Sequence, residues 1–178
     1  FDRDMELPAE FTDRMRRLLG DEYDDFAIAL LSEPQTSLRL NPAKCNGRPD
    51  YQSVPWCRDA YYIETRPAFT FDPRLHGGVY YVQEASSMFL DYVLRRFVDT
   101  PVRYLDLCAA PGGKSTQIAC SMQGEGLIVC NEIHPARAKI LSENIERMGV
   151  CNALVTNETP QKLSDNFREY FDRILVDA

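Results

Sequence analysis

Apolar and polar positions along the chain fall into a few recurrent patterns, and these lay out its elements. Phe11, Met15 and Leu18 share one helical face, Pro8 suits a first turn and Gly20 a stop, so a helix is predicted over 8–19. A second helix is predicted from Tyr23 to Leu31, ending before Pro34. "SLRLNP" (37–42) alternates as a strand does and is closed by Asn-Pro. Residues 43–78 show no sustained period and read as loop-rich, either an irregular extension or part of a small α/β domain.

After Gly77-Gly78 the pattern becomes regular. "VYYV" is a short strand, and Glu84 to Phe97 is an amphipathic helix with Ala85, Met88, Phe89, Tyr92 and Val93 on its apolar side. "VRYLDL", "GLIVCN", "NALVT" and "DRILVD" are strands. Between them lie predicted helices from about Lys114 to Met122, from Pro135 to the stop at Gly149, and from Gln161 to Tyr170. Strands alternating with helices of this length indicate α/β architecture with a parallel, doubly wound sheet. The expected organisation is an N-terminal domain over 1–78 and a doubly wound domain over 79–178. A buried-type strand stands last, so the sheet is expected to continue in a longer polypeptide, with 1–178 as its truncated N-terminal portion.

Composition narrows the class. With 178 residues, 44% of them hydrophobic, the chain is long enough to bury a sizeable core. No apolar run approaches the roughly 18 residues of a membrane span. "FDRDMELPAEF" lacks the basic and apolar regions of a signal peptide, so a cytoplasmic protein is expected. The six cysteines form no Cys-x-x-Cys pair and have no close histidine, which predicts reduced thiols with no disulfide framework and no metal site. Net charge is −7, which withholds support for a nucleic-acid coat, although local basic patches decide RNA binding. His76 before Gly-Gly and His134 near a helix start are unpersuasive as catalysts.

"RYLDLCAAPGGKSTQIA" (103–119) holds the candidate chemistry. A phosphate loop of the Walker type needs a glycine where Cys108 stands, and Pro111 removes an amide donor. The dinucleotide fingerprint also fails, because only Gly112 and Gly113 are present. What remains is a glycine-rich turn from strand to helix, and in doubly wound folds ligands sit at the carboxyl ends of strands. Glu132 follows Gly112 by 20 residues at the end of the next strand, placed to take both hydroxyls of a ribose. Glu158 lies just past the third strand, placed for an exocyclic adenine amine, and Asp177 ends the fourth. Three carboxylates opposed only by Lys114 suit a cationic adenosine ligand without phosphates, and S-adenosylmethionine fits. Its own carboxylate can meet helix-terminal amides.

"DLCAAPGGKST", "YYVQEASSMFL", "SLRLNP" and "VPWCRDAYYIE" together closely resemble the RNA 5-methylcytosine methyltransferases of the RsmB/RsmF (NOL/NOP2/Sun) family, over nearly the whole chain. The resemblance implies a Rossmann-like class I S-adenosylmethionine-dependent methyltransferase domain preceded by a small α/β RNA-binding domain. By it, Ala109, Ala110, Pro111, Gly112, Gly113, Lys114 and Ser115 form the methionine-side cofactor loop. Glu132 binds ribose, Glu158 stands at the adenine position where the family usually has Asp, and Asp177 opens the next motif. "SLRLNP" looks like the family's RNA-binding segment, with Arg39 and Lys44 as phosphate contacts. Trp56, Tyr61 and Tyr62 serve either to stack on bases or to pack an irregular loop.

The family's chemistry runs on two cysteines in motifs that follow Asp177-Ala178. One thiolate adds to carbon 6 of cytosine, so that carbon 5 attacks the methyl group, and the second assists release. No catalytic residue is therefore expected within 1–178, and this stretch alone is expected to be inert on RNA; Cys108 sits inside the cofactor turn, where its small size accounts for it. The implied partner is RNA, 16S rRNA or the small ribosomal subunit. The alternative function is a non-catalytic RNA- or ribosome-binding module that retains the cofactor fold.

Overall fold

The computed structural model describes residues 7–45, 47–97 and 102–178. By its internal contacts the chain divides into Phe1–Pro34 and Gln35–Ala178. In the first unit, helices α1 (Ala9–Leu19) and α2 (Tyr23–Leu31) are joined by one 3-10 turn, Gly20–Glu22. Their register is set by Phe11 against Phe26, centroids 6.3 Å apart, and by the Arg16 guanidinium 4.9 Å from the Tyr23 ring.

The second unit contains two sheets. Strands β1 (Thr36–Leu40), β2 (Ala60–Ile63) and β3 (Tyr80–Val82) form an antiparallel sheet in the order β2-β1-β3. "VYYV" thus pairs with "SLRLN" and does not join the parallel sheet. Strand β2, within the stretch that reads as loop, is only Ala60–Ile63, too short to show a period. A short helix α3 (Pro73–His76) precedes β3, and α4 (Phe89–Phe97) follows it after a 3-10 turn at Ser86–Met88.

The parallel sheet comprises β4 (Arg103–Asp106), β5 (Leu127–Asn131), β6 (Ala153–Thr156) and β7 (Arg173–Leu175), in the order β6-β5-β4-β7. Its crossovers are α5 (Gly113–Met122), α6 (Pro135–Met148) and α7 (Pro160–Asn166). Strand alternation sorts the core into two layers. Tyr104, Ile128 and Cys130 pack with Ile118, Ala119 and Met122 of α5 and with Leu141 and Ile145 of α6. Leu105 and Val129 face Leu163 of α7 on the other side. Helix α7 stops at Asn166, short of the expected Tyr170, where Phe167, Tyr170 and Phe171 turn onto one another at centroid distances of 5.2–5.5 Å. Among the described residues, no helix is long and apolar enough to cross a membrane, and no cluster of His, Cys, Asp and Glu is arranged to hold a metal ion.

Sheet order places the candidate chemistry. The chain leaves β4 for β5 and β6 on one side and returns to β7 on the other, so the turn after β4 stands at the topological switch point, where open α/β sheets bind ligands.

Candidate functional site

The turn after β4 is fixed from behind through its carbonyls. Ala110 O accepts from Arg137 Nη2 at 2.9 Å. Pro111 O accepts from Asn144 Nδ2 at 2.8 Å and from the Tyr81 hydroxyl at 3.4 Å. Gly113 O accepts from Arg39 Nη2 at 3.2 Å. Ala109 and Ala110 are themselves in the core. Gly112 caps α5 with φ of 110°, a conformation that calls for glycine, and a β-carbon there would also stand close to Leu141 Cδ1, at 3.2 Å. Gly113 and Lys114, which open α5, line the cleft in front, and the unsatisfied amides of a helix's first turn favour an anion.

That cleft, a cavity of about 310 Å³, is lined by Cys108–Pro111, Gly113, Lys114, Asp106 and Asp177, with Tyr81, Gln83 and Glu84 opposite. Asp106 is buried at the end of β4 and accepts from the Ser115 hydroxyl at 2.7 Å. Burial raises its pKa above the ordinary carboxylate value, opposed by the Ser115 hydrogen bond and the Lys114 charge. Sequence reasoning passed over Asp106, although a carboxylate closing an apolar strand just before "CAAPGG" was a signal. The Ser115 hydroxyl is engaged inward and the residue is fully buried, so Ser115 does not line the cleft. Lys114 pairs with Asp177, whose side chain is 59% exposed.

Glu132 and Glu158 differ sharply. Glu132 is 2% exposed; Oε1 accepts from His134 N at 3.0 Å and Oε2 meets Arg137 Nη1 at 3.3 Å. Arg137 therefore couples the carboxylate to the Ala110 carbonyl, and each carboxylate oxygen keeps a lone pair without a partner in the protein. The Glu158 side chain is 42% exposed and pairs with Lys162 at 2.8 Å, one helical turn on. Only its backbone is fixed: Asn131, buried, accepts from Glu158 N and donates to Glu158 O, each at 3.0 Å.

The two expected phosphate contacts are placed elsewhere. Arg39 is 2% exposed, and all its side-chain nitrogens donate within the protein, which rules it out as a surface phosphate contact. Lys44 is exposed, but Nζ donates to Gly77 O at 3.0 Å and to Arg147 O at 2.9 Å, capping the last turn of α6. Trp56 Nε1 donates to Ala85 O at 2.6 Å and its ring packs on Val54, Cys57, Ala60 and Met88. Tyr61 is buried in the antiparallel sheet, so packing accounts for both rings. Burial pushes the Cys57 thiol up to about 11 and Cys130 up to about 12, leaving both poor nucleophiles at neutral pH.

A parallel sheet with a glycine-rich turn at its switch point and carboxylates at successive strand ends is a Rossmann-like α/β fold with its ligand-binding end built around that turn. Residues 7–85 match the family described as the N-terminal domain of 16S rRNA methyltransferase RsmF, and residues 98–178 match 16S rRNA methyltransferase RsmB/F. The ribosomal RNA small subunit methyltransferase F of Pectobacterium atrosepticum is 36% identical over 97% of this chain, which spans 39% of that relative's length. The crystal structure of PH0851 superposes with a TM-score of 0.85 at 26% identity, covering 96% of this chain and 41% of that one. A methyltransferase homolog protein from Pyrococcus horikoshii gives 0.80, also at 26% identity, over 97% of this chain and 59% of the other. The chain belongs to the RsmB/F family of 16S rRNA methyltransferases, and within it is RsmF-like.

Proposed function

We propose that the protein methylates carbon 5 of cytosine in RNA, with 16S rRNA as substrate, and that residues 35–178 supply its cofactor side. The observation that carries this reading is the β4–α5 turn, whose carbonyls are bound from behind while Glu132 stands buried at the next strand end. The opening amides of α5 suit the carboxylate of S-adenosylmethionine, Asp106 its ammonium group, Glu132 its ribose, and Glu158 its adenine amine. When bound, that cofactor supplies the methyl group. Residues 1–78 are assigned to RNA binding, through surfaces other than Arg39.

The test uses the full-length protein. Calorimetry should detect S-adenosylmethionine binding, and a labelled methyl group should appear on cytosine in 16S rRNA. Absence of cofactor binding by folded protein would overturn the site assignment. Cofactor binding without methyl transfer to any RNA would instead favour a non-catalytic RNA-binding module.

A further inference from the structure

We propose that Arg39 is a positioning residue for the anionic end of the cofactor: from β1 it holds the first turn of α5 and sets a positive charge behind it. This rests on the cofactor reading above. Arg39 Nη2 donates to Thr116 Oγ1 at 2.8 Å as well as to Gly113 O, Nε to Gln83 Oε1 at 3.0 Å, and Nη1 to Cys120 Sγ at 3.5 Å. The connection continues through Gln83 Nε2 to Gln117 Oε1 at 3.1 Å, and from Gln117 Nε2 to Met88 O at 3.0 Å. One guanidinium thereby joins β1, the residue after β3, and both ends of α5. The Tyr81 ring lies 6.0 Å from it and hydrogen-bonds the same turn at Pro111.

The charge is what needs explaining. Among the described residues, no carboxylate forms a salt bridge with Arg39; Asp59 and Asp91 line the same cavity of about 730 Å³ without pairing with it. Burying an unpaired guanidinium is costly. Two residues on, the same face of the chain shows that interlayer attachment does not require charge. Asn41, equally buried, donates to Gly78 O at 3.0 Å and Met148 O at 2.8 Å with a neutral amide. At Arg39 the cation lies behind the first turn of α5, and its potential adds to the positive end of the helix dipole. Both act on an anion held by the opening amides.

Two ligands separate this role from general support of the fold. S-adenosylhomocysteine carries the amino-acid carboxylate; 5′-methylthioadenosine has the same adenosine and lacks it. In the full-length protein, Arg39→Gln should weaken S-adenosylhomocysteine at least tenfold and 5′-methylthioadenosine less than twofold. Arg39→Lys, which keeps the charge, should recover most of the loss. Equal weakening of both ligands, or none of either, would overturn the proposal. A second measurement needs no ligand: amide hydrogen exchange over 109–117 should be faster in Arg39→Gln than in wild type, with β5 unchanged. Unaltered exchange there would also overturn it. If the wild type binds neither ligand, the cofactor reading falls, and exchange alone decides whether Arg39 holds the turn.

Discussion

The two sheets of residues 35–178 use their polar residues in opposite ways. In the antiparallel sheet Ser37, Arg39 and Asn41 fall on one face of the β1 segment, all buried, and their hydrogen bonds run to neighbouring elements of the protein. In the parallel sheet the polar residues gather at the carboxyl ends of strands, as Asp106, Asn131 and Glu132, and the carboxylates there retain unfilled lone pairs. Arg39 and Asn41 attach layer to layer; at the strand ends Asn131 is also engaged throughout, and only the two carboxylates keep acceptor capacity for the proposed ligand. The difference teaches that burial of a polar residue marks a binding site only where some of its hydrogen-bonding capacity is unused.

The sharpest test of that distinction is at the ligand end. On the proposed reading Glu132→Ala removes a fixed, charged acceptor of two ribose hydroxyls, and it should weaken S-adenosylmethionine binding by about 2–4 kcal/mol, read by calorimetry. Unchanged affinity in a folded variant would reject the ribose assignment. On the attaching side, Asn41→Ala leaves the Gly78 and Met148 carbonyls without their side-chain donor, and should cost about 2–3 kcal/mol of stability in a denaturation midpoint. Cofactor affinity of that variant, measured well below its midpoint, should stay close to that of wild type. Loss of affinity without loss of stability would erase the division between the two sheets.

Much of this was legible in sequence, and the gaps have physical reasons. Helix α6 reads correctly from Pro135 to its stop because Ala138, Leu141, Ile145 and Met148 keep a long, clean period between a proline and a glycine. Strand β1 reads correctly as a strand, but alternation reveals only which residues share a face, not which face meets water. Leu38 lies in one core while Arg39 and Asn41 reach α5 and α6, so the face carrying Arg39, which the family resemblance assigns to RNA contact, is interior. At the candidate site, the contiguous residues Ala109 to Ser115 are visible in sequence as a turn from strand to helix, and that is the local structure they adopt. The groups that hold them are distant in the chain and carry no local signal of that role. Arg137 and Asn144 come from α6 and Tyr81 from β3, and only the fold brings them to the turn.

A smaller effect is expected at Glu158. Its side chain is partly exposed and already paired with Lys162, so an adenine amine would share a solvated carboxylate. Glu158→Asp should be tolerated, whereas Glu158→Leu should lose about 1 kcal/mol of cofactor affinity. If leucine costs as much as Glu132→Ala, the adenine side is as tightly built as the ribose side, and the contrast between these strand ends disappears. If all three residues bind alike, adenine is read through the backbone that Asn131 fixes.

The smallest effect concerns acid stability, because each sheet has one carboxylate held low at its margin. Hydrogen bonds from Arg74 bring Asp72, beside Tyr80 of β3, down from 3.8 to about 2. Those from Arg103 bring Asp172, just before β7, to the same value. A folded-state pKa below the unfolded one means the contribution is present above pH 3.8 and is lost as pH falls through about 2. Asp72→Asn and Asp172→Asn should each lower stability slightly at neutral pH and flatten its fall between those limits. Because Arg39 and Asn41 attach the antiparallel sheet to α5 and α6, both variants should act on one shared transition. Fluorescence of the single tryptophan, Trp56, follows the antiparallel side, and far-ultraviolet circular dichroism follows the helices. Coincident acid midpoints by the two probes are expected in wild type and in both variants. Separate midpoints, with Asp72→Asn moving only the Trp56 signal, would show that the buried polar face of β1 does not make the sheets one cooperative unit.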